Sequence, residues 1–497
     1  MAGDRATDAG PPRAHRPDGI TGRAGTGSPA MLAAVLVFLA VESTAVASLG
    51  TPLLSAVQAA DHVTLAASQW ALTIALLTGA VTTPVLGRLG DGRPRRAAIL
   101  AAVAVMLAGC VLSALPSGFA VFLAGRALQG AGFGLVPLAT AVARDNLPEG
   151  RRGRTIALIG VTTAAGIGAG YPLAGLLAQY LGIGAPFWFV AGLSVLALAG
   201  AAAVLPASPA RAASVDVPGS LLLGLGVAGL IVVLAEGPSW GWASGRTVGS
   251  GIASAAVLAA WAGWELRARR PLIDLRLLRS RPVLAANLTA FCVAVGFYPL
   301  GPLVVRFVQA PPAAGYGFGA SVLVAGLMLT PFSLASFAAS RAVRRAARLV
   351  SPELIVVAGC LALIASMVLF VLARSAYWQI VIAMAIDGFG VGCVYAVNPL
   401  QITAGVPPDQ TGSAMSFYQL ARTVAYSLAS ALSATLLVLS IPRGHSLPAG
   451  TGYTTAALTC AAILAVALVV SVFFAVPGRR RRRPRRGSPL GRTARSG

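Results

Sequence analysis

Long apolar runs alternate with short polar segments over almost the whole chain, from residue 31 to residue 476. Each run is close to the roughly 20 apolar residues that a helix needs to cross a bilayer. Fourteen runs occur, grouped as six, two and six: 31–56, 68–90, 97–115, 118–143, 155–180, 186–205, 218–236, 247–266, 283–306, 319–340, 353–372, 377–400, 411–439 and 453–476. This pattern predicts an all-α polytopic membrane protein with about fourteen transmembrane helices.

The grouping of the runs predicts five segments along the chain. They are a disordered tail (1–30), a six-helix half (31–205), a linker with two extra transmembrane helices (206–282), a second six-helix half (283–476) and a basic tail (477–497). Two related halves with a central connection form the plan of an alternating-access transporter, with the substrate site between the halves near the midplane. A channel or a membrane enzyme does not require this division.

Composition and the placement of charge support a membrane location. Hydrophobic residues make up 57% of the chain and charged residues only 11%, against about a quarter charged in a soluble domain. The net charge of +23 comes from arginines, which cluster in the tails and in the linkers on one side of the predicted spans. That placement indicates topology rather than a nucleic-acid surface. We therefore expect a multi-pass protein of the inner (plasma) membrane with both termini in the cytoplasm and the basic tail against an anionic inner leaflet.

Residue types that hold metals or cofactors are sparse. The cysteines lie far apart inside apolar runs, which suits helix packing rather than disulfides or metal binding: Cys110, Cys292, Cys360, Cys393 and Cys460. No P-loop, HExxH or GxSxG motif occurs, so we expect neither an enzyme nor a bound cofactor, metal or ATP. The expected partners of the chain, taken as a monomer, are protons, a small-molecule substrate and the lipid bilayer.

Three ionisable residues lie well inside predicted spans, where a charge is costly unless it is paired or hydrated. Glu42 (LAVESTAVASLG) and Asp387 (MAIDGFGVG) are the carboxylates placed to carry a proton, and Arg126 (FLAGRALQG) is a cation in the fourth run. Arg126 and Asp387 have opposite charges that could pair across the interface between the halves. The alternative for each carboxylate is a structural hydrogen bond, and for Arg126 a side chain that reaches a membrane interface.

A further intramembrane cation, Arg422, lies in the thirteenth run among polar and aromatic residues. Gln419 is one helical turn away, so the two can face one cavity. Tyr418 and Tyr426 flank Arg422 at a spacing of four and supply aromatic surface with polar tips, although ordinary packing is the alternative. Few acidic residues accompany them, which favours neutral or anionic amphiphiles over strongly cationic drugs. Our other candidates for the substrate cavity are Gln129, Tyr171 and Asn398.

A polar segment, GRLGDGRPRR at 87–96, separates the second and third runs. Gly87 lacks a Cβ, so a neighbouring helix can approach it closely. Asp91 can accept donors at the positive N-terminus of a facing helix. Arg95 and Arg96 keep the segment on the cytoplasmic side. A turn that only marks topology is the alternative.

The fifth run, AAGIGAGYPLAGLLAQYLG, carries a stripe of small residues. Gly166, Gly170 and Gly175 allow close helix packing, and Pro172 gives a local bend. A tight helix pair without a role in transport is the alternative.

These motifs resemble those of the major facilitator superfamily, in its fourteen-span drug:proton antiporter branch. The 87–96 segment resembles the signature GxLaDrxGrk, RALQG resembles the RxxQG pattern, and the fifth run resembles GxxxGPxxGG. Pro94 stands where the signature has glycine, and Pro172 lies one residue late. The resemblance implies that Asp91 braces the two halves in the outward-facing state and that Arg126 takes part in proton coupling.

The residues and the resemblance together predict proton-coupled efflux of small amphiphilic molecules or drugs by alternating access. Protonation of Glu42, with help from Asp387, would shift the equilibrium between outward- and inward-facing states. A uniporter or importer of a small metabolite on the same fold is one alternative. A non-transporting membrane scaffold or sensor is the other.

Overall fold

The computed structural model describes residues 28–90, 94–207, 216–268, 271, 275–346, 349–406, 411–443 and 447–475. Within these ranges every regular element is a helix. The first seven helices are α1 (Pro29–Ala60), α2 (Leu65–Gly90), α3 (Arg95–Ala114), α4 (Phe119–Gln129), α5 (Leu135–Asn146), α6 (Glu149–Leu181) and α7 (Ala185–Val204). Two more follow, α8 (Val217–Trp240) and α9 (Gly245–Arg267). The last seven are α10 (Arg281–Phe297), α11 (Leu300–Gln309), α12 (Val322–Ala346), α13 (Pro352–Leu372), α14 (Tyr377–Ala404), α15 (Thr411–Val438) and α16 (Gly450–Ala475).

The predicted apolar runs coincide with these helices. Two runs are each built from two helices in series: α4 and α5 are joined by a 3-10 turn at Gly130–Gly134, and α10 continues into α11. The sequence of that turn, GAGFG, has three glycines in five residues, and glycine is a poor residue for a helix interior. Thirteen helical stretches of the described chain are long and apolar enough to cross a membrane. The fifth run lies in α6, a 33-residue helix.

Two hydrophobic cores hold most of the buried residues. One core draws its buried members from residues 32–205, and the other draws them from residues 293–467 with the addition of Leu65. A third, smaller cluster joins α8 to α2 and α15, with Leu223, Ile231 and Leu420 among its members. The extra helix α8 therefore packs along a seam where the two halves meet.

Hydrogen bonds between the halves are concentrated toward one end of the bundle. The arginine-rich end is defined here by the helix ends that carry Arg95, Arg144, Arg151 and Arg267, and the opposite end by the segments at 61–64 and 310–321. Among the described residues, the hydrogen bonds from one half to the other lie at mid-depth or nearer the opposite end. The halves are thus closed together at the opposite end.

Candidate functional site

Arg422, on α15, is the centre of a polar and aromatic cluster between the helices of the second half. Its Nε and Nη2 donate to the Tyr426 hydroxyl at 3.3 and 2.9 Å, and its Nη1 donates to Gln419 Oε1 at 3.5 Å. Residues three and four apart share a helix face, so α15 itself positions all three side chains. The guanidinium carbon lies 3.7 Å from the centre of the Tyr395 ring. Arg422 is half-buried, so part of it remains accessible.

An aromatic surface adjoins this guanidinium. The Phe297 ring lies edge-on to Tyr395 and Tyr426, with ring centres 6.0 and 5.9 Å apart, and Tyr298 stacks on Tyr426 at 5.2 Å. Such offset and edge-to-face contacts are the favoured geometries of aromatic rings. Tyr171 of α6 packs against the same cluster from the first half. The cluster thus combines rings from both halves.

Two further candidates for the cavity lie deeper in the second half. Asn398 is fully buried, and its amide donates to the Ala286 carbonyl oxygen at 3.1 Å. Tyr418 is 2% exposed and packs in the cluster that joins α10, α14 and α15. Both residues support the wall on which Arg422 lies rather than its accessible surface.

Arg126 lies in the interior of the first half and is 2% exposed. Its Nε donates to the Ala71 carbonyl oxygen at 2.9 Å, and its Nη1 donates to Gln129 Oε1 at 2.5 Å. The Gln129 amide donates in turn to the Gly109 carbonyl oxygen and to Ser113 Oγ, both at 3.1 Å. Gln129, a candidate for the cavity, is therefore buried against α3 and orients Arg126.

Glu42, on α1, is fully buried, and neither of its carboxylate oxygens has a hydrogen-bond partner. Ser194 of α7 lies beside it, but the Ser194 hydroxyl donates to the Val190 carbonyl oxygen at 3.0 Å. An unpaired carboxyl group at this depth is costly to maintain for packing alone.

Asp387, on α14, is 1% exposed, and its Oδ1 also has no hydrogen-bond partner. The ion pair suggested between Asp387 and Arg126 is absent from the described part of the structure, so that suggestion was wrong for this conformation. The reason is local, because Arg126 is held by neutral oxygen atoms of its own half. Asp387 lies within the second half, close to Cys460 of α16.

The basic residues at the end of the 87–96 segment hold α3 to other helices of the first half. Arg95 is buried and donates from Nη2 to Asp145 Oδ2 at 2.8 Å, which ties α3 to the end of α5. Arg96 donates to the Ala202 carbonyl oxygen of α7 at 2.6 Å. These two contacts lie within the first half.

Gly87 and Asp91 are the other two candidates in the 87–96 segment. No atom of the described residues lies within 4 Å of the position that a Cβ would take at Gly87. The expected close helix approach at Gly87 is therefore wrong for this conformation, in which Gly87 lies beside open space. Asp91 falls outside the described residues.

Small residues let α6 contact a neighbour in each half. A Cβ at Gly170 would collide with Ser48 Oγ of α1, and a Cβ at Gly175 would lie 2.6 Å from the Val322 carbonyl oxygen of α12. Next to them, Pro172 lies within the helix and faces Gly326 of α12. Gly166 is part of α6, and its contacts lie outside the described part of the structure.

We expect the substitution Gly175→Ala to destabilise the closed conformation by about 1–3 kcal/mol, a typical cost of overpacking. The added methyl would lie 2.6 Å from the Val322 carbonyl oxygen and 2.8 Å from Leu323 Cα. Backbone atoms cannot rotate away, so the two halves must separate there. Thermal unfolding of the purified protein in detergent measures the effect. Gly192→Ala is the matched control, because nothing lies within 4 Å of its Cβ position, and an equal loss in both variants would contradict the prediction.

Arg306 at the end of α11 joins the halves at the opposite end. Its Nη1 donates to Gln58 Oε1 of α1 at 2.9 Å, and its Nη2 donates to Ser68 Oγ of α2 at 2.8 Å. Longer bonds of 3.4 Å reach the Leu65 carbonyl oxygen and Gln69 Oε1. Arg306 is 5% exposed. The ninth apolar run ends at residue 306, and the sequence did not indicate this contact between the halves.

A second contact continues the closure toward the centre. Gln69 Nε2 and Thr73 Oγ1, both on α2, lie 3.0 and 2.8 Å from Ser430 Oγ of α15. Ser430 is two helical turns from Arg422 on the same helix, so the aromatic cluster lies directly on the inner side of this contact. We call the Arg306 and Ser430 contacts together the opposite-end seal.

Two helical halves closed at one end, with charged and aromatic residues between them, define a polytopic membrane transporter. The sequence profile of the Major Facilitator Superfamily matches residues 30–430 and 307–496. The chain belongs to this superfamily of transporters and is similar to members of its drug-efflux branch.

Known proteins support this assignment at different levels. An uncharacterized MFS-type transporter of Mycobacterium tuberculosis is 34% identical over 54% of this chain and 39% of its own length. A tetracenomycin C resistance and export protein of Streptomyces glaucescens is 33% identical over 57% of this chain and 53% of its own length. The aligned region thus spans at most about half the length of each of these relatives. The crystal structure of a peptide transporter, POT, shares the fold with a TM-score of 0.63 at 17% identity, over 91% of this chain and 96% of that one.

Proposed function

We propose that the chain exports small amphiphilic molecules across the plasma membrane in exchange for protons, by alternating access. The observation that carries the proposal is Glu42, a carboxyl group at 0% exposure inside a helix of membrane-spanning length, with no hydrogen-bond partner for either oxygen. Membrane-embedded carboxyl groups of this kind mark proton relays in transporters. Similarity to a resistance and export protein supports efflux as the direction.

The arginines lie mostly on one side of the predicted spans, and this asymmetry supports one orientation of the protein in the membrane. By the positive-inside rule the arginine-rich end faces the cytoplasm, together with both termini. We propose that the described conformation, which is closed at the opposite end, is the inward-facing state of a monomer. Export requires the opposite-end seal to open after the substrate has bound from the cytoplasmic side or the inner leaflet.

Helix α1 couples protonation of Glu42 to the opposite-end seal. It carries Glu42 at mid-depth, and Gln58 near its end accepts a hydrogen bond from Arg306 of the other half. A change in the charge of Glu42 alters the free energy of placing this part of α1 against α7. Glu42 and Gln58 lie on the same helix, with Pro52 between them, and we propose that a shift at Glu42 is passed along α1 to Gln58. Proton binding thereby biases the equilibrium between the two states.

We expect Glu42→Gln to abolish export driven by a pH gradient while leaving folding intact, because glutamine is similar in size and cannot exchange a proton. Uptake of a fluorescent amphiphile into everted vesicles, with an imposed pH gradient, measures this. Glu149→Gln is the matched control, since Glu149 is exposed at the first turn of α6. Undiminished pH-driven export by the Glu42 variant would exclude Glu42 as the carrier. Wild-type transport that ignores the imposed gradient would favour a uniporter.

A further inference from the structure

Among the described residues, the charged side chains inside the membrane-spanning helices do not pair with one another. Arg126 and Arg422 both lie within the helical bundle, and the partners found for each in the described structure are carbonyl, amide, hydroxyl and aromatic groups. The two intramembrane carboxylates lie elsewhere, Glu42 beside α7 and Asp387 within the second half. The positive charge of Arg422 therefore has no counter-charge among the described side chains that contact it.

Arg422 also retains unused hydrogen-bond donors. A guanidinium carries five N–H groups, and three contacts to two acceptor atoms engage Nε, one N–H of Nη1 and one of Nη2. The Tyr418 hydroxyl lies close to the guanidinium, but no hydrogen bond to a described residue is formed by the second N–H of either terminal nitrogen. The side chain is only partly buried. Two adjacent terminal N–H groups suit a planar group with two oxygens.

The surroundings hold this guanidinium in a defined orientation. Its face lies on the Tyr395 ring at 3.7 Å, and the Tyr426 hydroxyl fixes Nε and Nη2. The Tyr426 hydroxyl also donates to Tyr395 Oη at 3.1 Å, which ties the two tyrosines together. A stacked guanidinium loses little further freedom when it binds a carboxylate. Arg126, by contrast, is 2% exposed and already enclosed by its own half.

The following inference about Arg422 and its aromatic neighbours rests on the proposed export function. We propose that the transported molecule is an organic anion with a planar aromatic body, whose carboxylate pairs with Arg422. The aromatic body lies on the partly exposed rings of Tyr298 and Tyr426, which Phe297 supports from the core and where ring contacts stabilise it. A cation in this position would meet the guanidinium charge in a medium of low dielectric constant, where repulsion is strong.

The test compares three probes that share one ring system, namely 2-naphthoate, 2-naphthamide and 2-naphthylmethylammonium. Binding to the purified full-length protein in lipid nanodiscs is measured by equilibrium dialysis at pH 7.5. We expect 2-naphthoate to bind at least about tenfold more tightly than the amide, and the ammonium compound to bind most weakly. Equal affinity for acid and amide, a preference for the ammonium compound, or no binding of 2-naphthoate at millimolar concentration would overturn the proposal.

Variants test whether Arg422 is responsible for the preference for acid over amide. Arg422→Gln should remove the preference for acid over amide, and Tyr426→Phe, which keeps the ring and loses the hydroxyl, should reduce it. Arg374→Gln is the matched control, because Arg374 lies over Phe307 and Phe370 at the opposite end and bonds to Gly450 and Thr454 of its own half. A preference that survives in Arg422→Gln would overturn the assignment. If Arg422→Gln fails to fold, Tyr426→Phe decides, and an unchanged preference there would equally contradict the role of the cluster.

The same design separates this inference from the proposed function. Binding in nanodiscs needs no pH gradient, so failure of proton coupling leaves the preference for the acid intact. Conversely, a protein that shows pH-driven export of neutral probes without any preference for 2-naphthoate would retain the proposed function and lose the substrate class.

Discussion

Replacing Arg306 with alanine is expected to shift the protein toward a conformation that is open at the end opposite the arginine-rich loops. The guanidinium of Arg306 donates to Gln58 and Ser68 at 2.9 and 2.8 Å, so its hydrogen bonds connect α11 to both α1 and α2. Hydrogen bonds to charged groups are worth about 1.5–3 kcal/mol each. Losing them while the halves gain water at their open end shifts the equilibrium roughly 10- to 100-fold.

Distances between spin labels measure this shift directly. Ala60→Cys and Ala313→Cys, made in a background free of the native cysteines, place labels at exposed positions of the two halves at this end. A longer distance should gain population in Arg306→Ala. Arg374→Ala is the matched control, since Arg374 is also an arginine of the second half at this end but bonds only within that half. Identical distance distributions in wild type and Arg306→Ala would refute the seal.

Replacing Arg126 with alanine is expected to lower the free energy of unfolding by about 3–5 kcal/mol, comparable with the removal of other large core side chains. Arg126 is among the largest fully buried side chains, and its loss leaves a void as well as an unpaired Gln129 oxygen. Arg126→Met fills most of the void and should cost only about 1–3 kcal/mol, the price of the unpaired acceptors.

Comparing Arg126→Ala with Arg126→Met separates the contributions of packing and of hydrogen bonding to the free energy of unfolding. Both remove the cost of burying the guanidinium, so that contribution cancels in their difference. Unfolding in increasing SDS gives the free energies, and Arg246→Ala is the control because Arg246 is exposed on α9. Equal stability of the alanine and methionine variants would show that no void forms and that the neighbouring helices close over the site.

The helices could be predicted from the sequence because each apolar run is long and its ends carry polar residues. The interruption of the fourth run by a 3-10 turn was not predicted, although its GAGFG sequence is a visible signal. Spacing also identified the α15 face that carries Gln419, Arg422 and Tyr426. It could not identify Tyr395, which reaches the same site from another helix. Periodicity gives the shared face of one helix but not the neighbour that the face meets.

The same limit explains why the observed partners of the buried arginines differ from those expected from the sequence. Arg126 and Gln129, three residues apart, are in contact in the structure, and the sequence did not indicate that Gln129 turns to α3 rather than to the cavity. An intramembrane arginine suggested a carboxylate partner, whereas main-chain and amide oxygens of its own half satisfy it. Arg306 was taken as the edge of a span because an arginine commonly ends an apolar run. Its burial depends on α1 and α2, more than 230 residues earlier in the chain.

The extra pair α8–α9 makes the perimeter of the protein unequal on its two sides. On one side, α8 covers the seam between α2 and α15, and Thr435 of α15 donates to the Leu234 carbonyl oxygen at 2.5 Å. On the other side, exposed leucines of α6 and α12, such as Leu176 and Leu334, face outward along the seam between those helices. In the described structure α8 therefore screens the α2–α15 seam from lipid, whereas α6 and α12 present leucines directly to the lipid along their own seam.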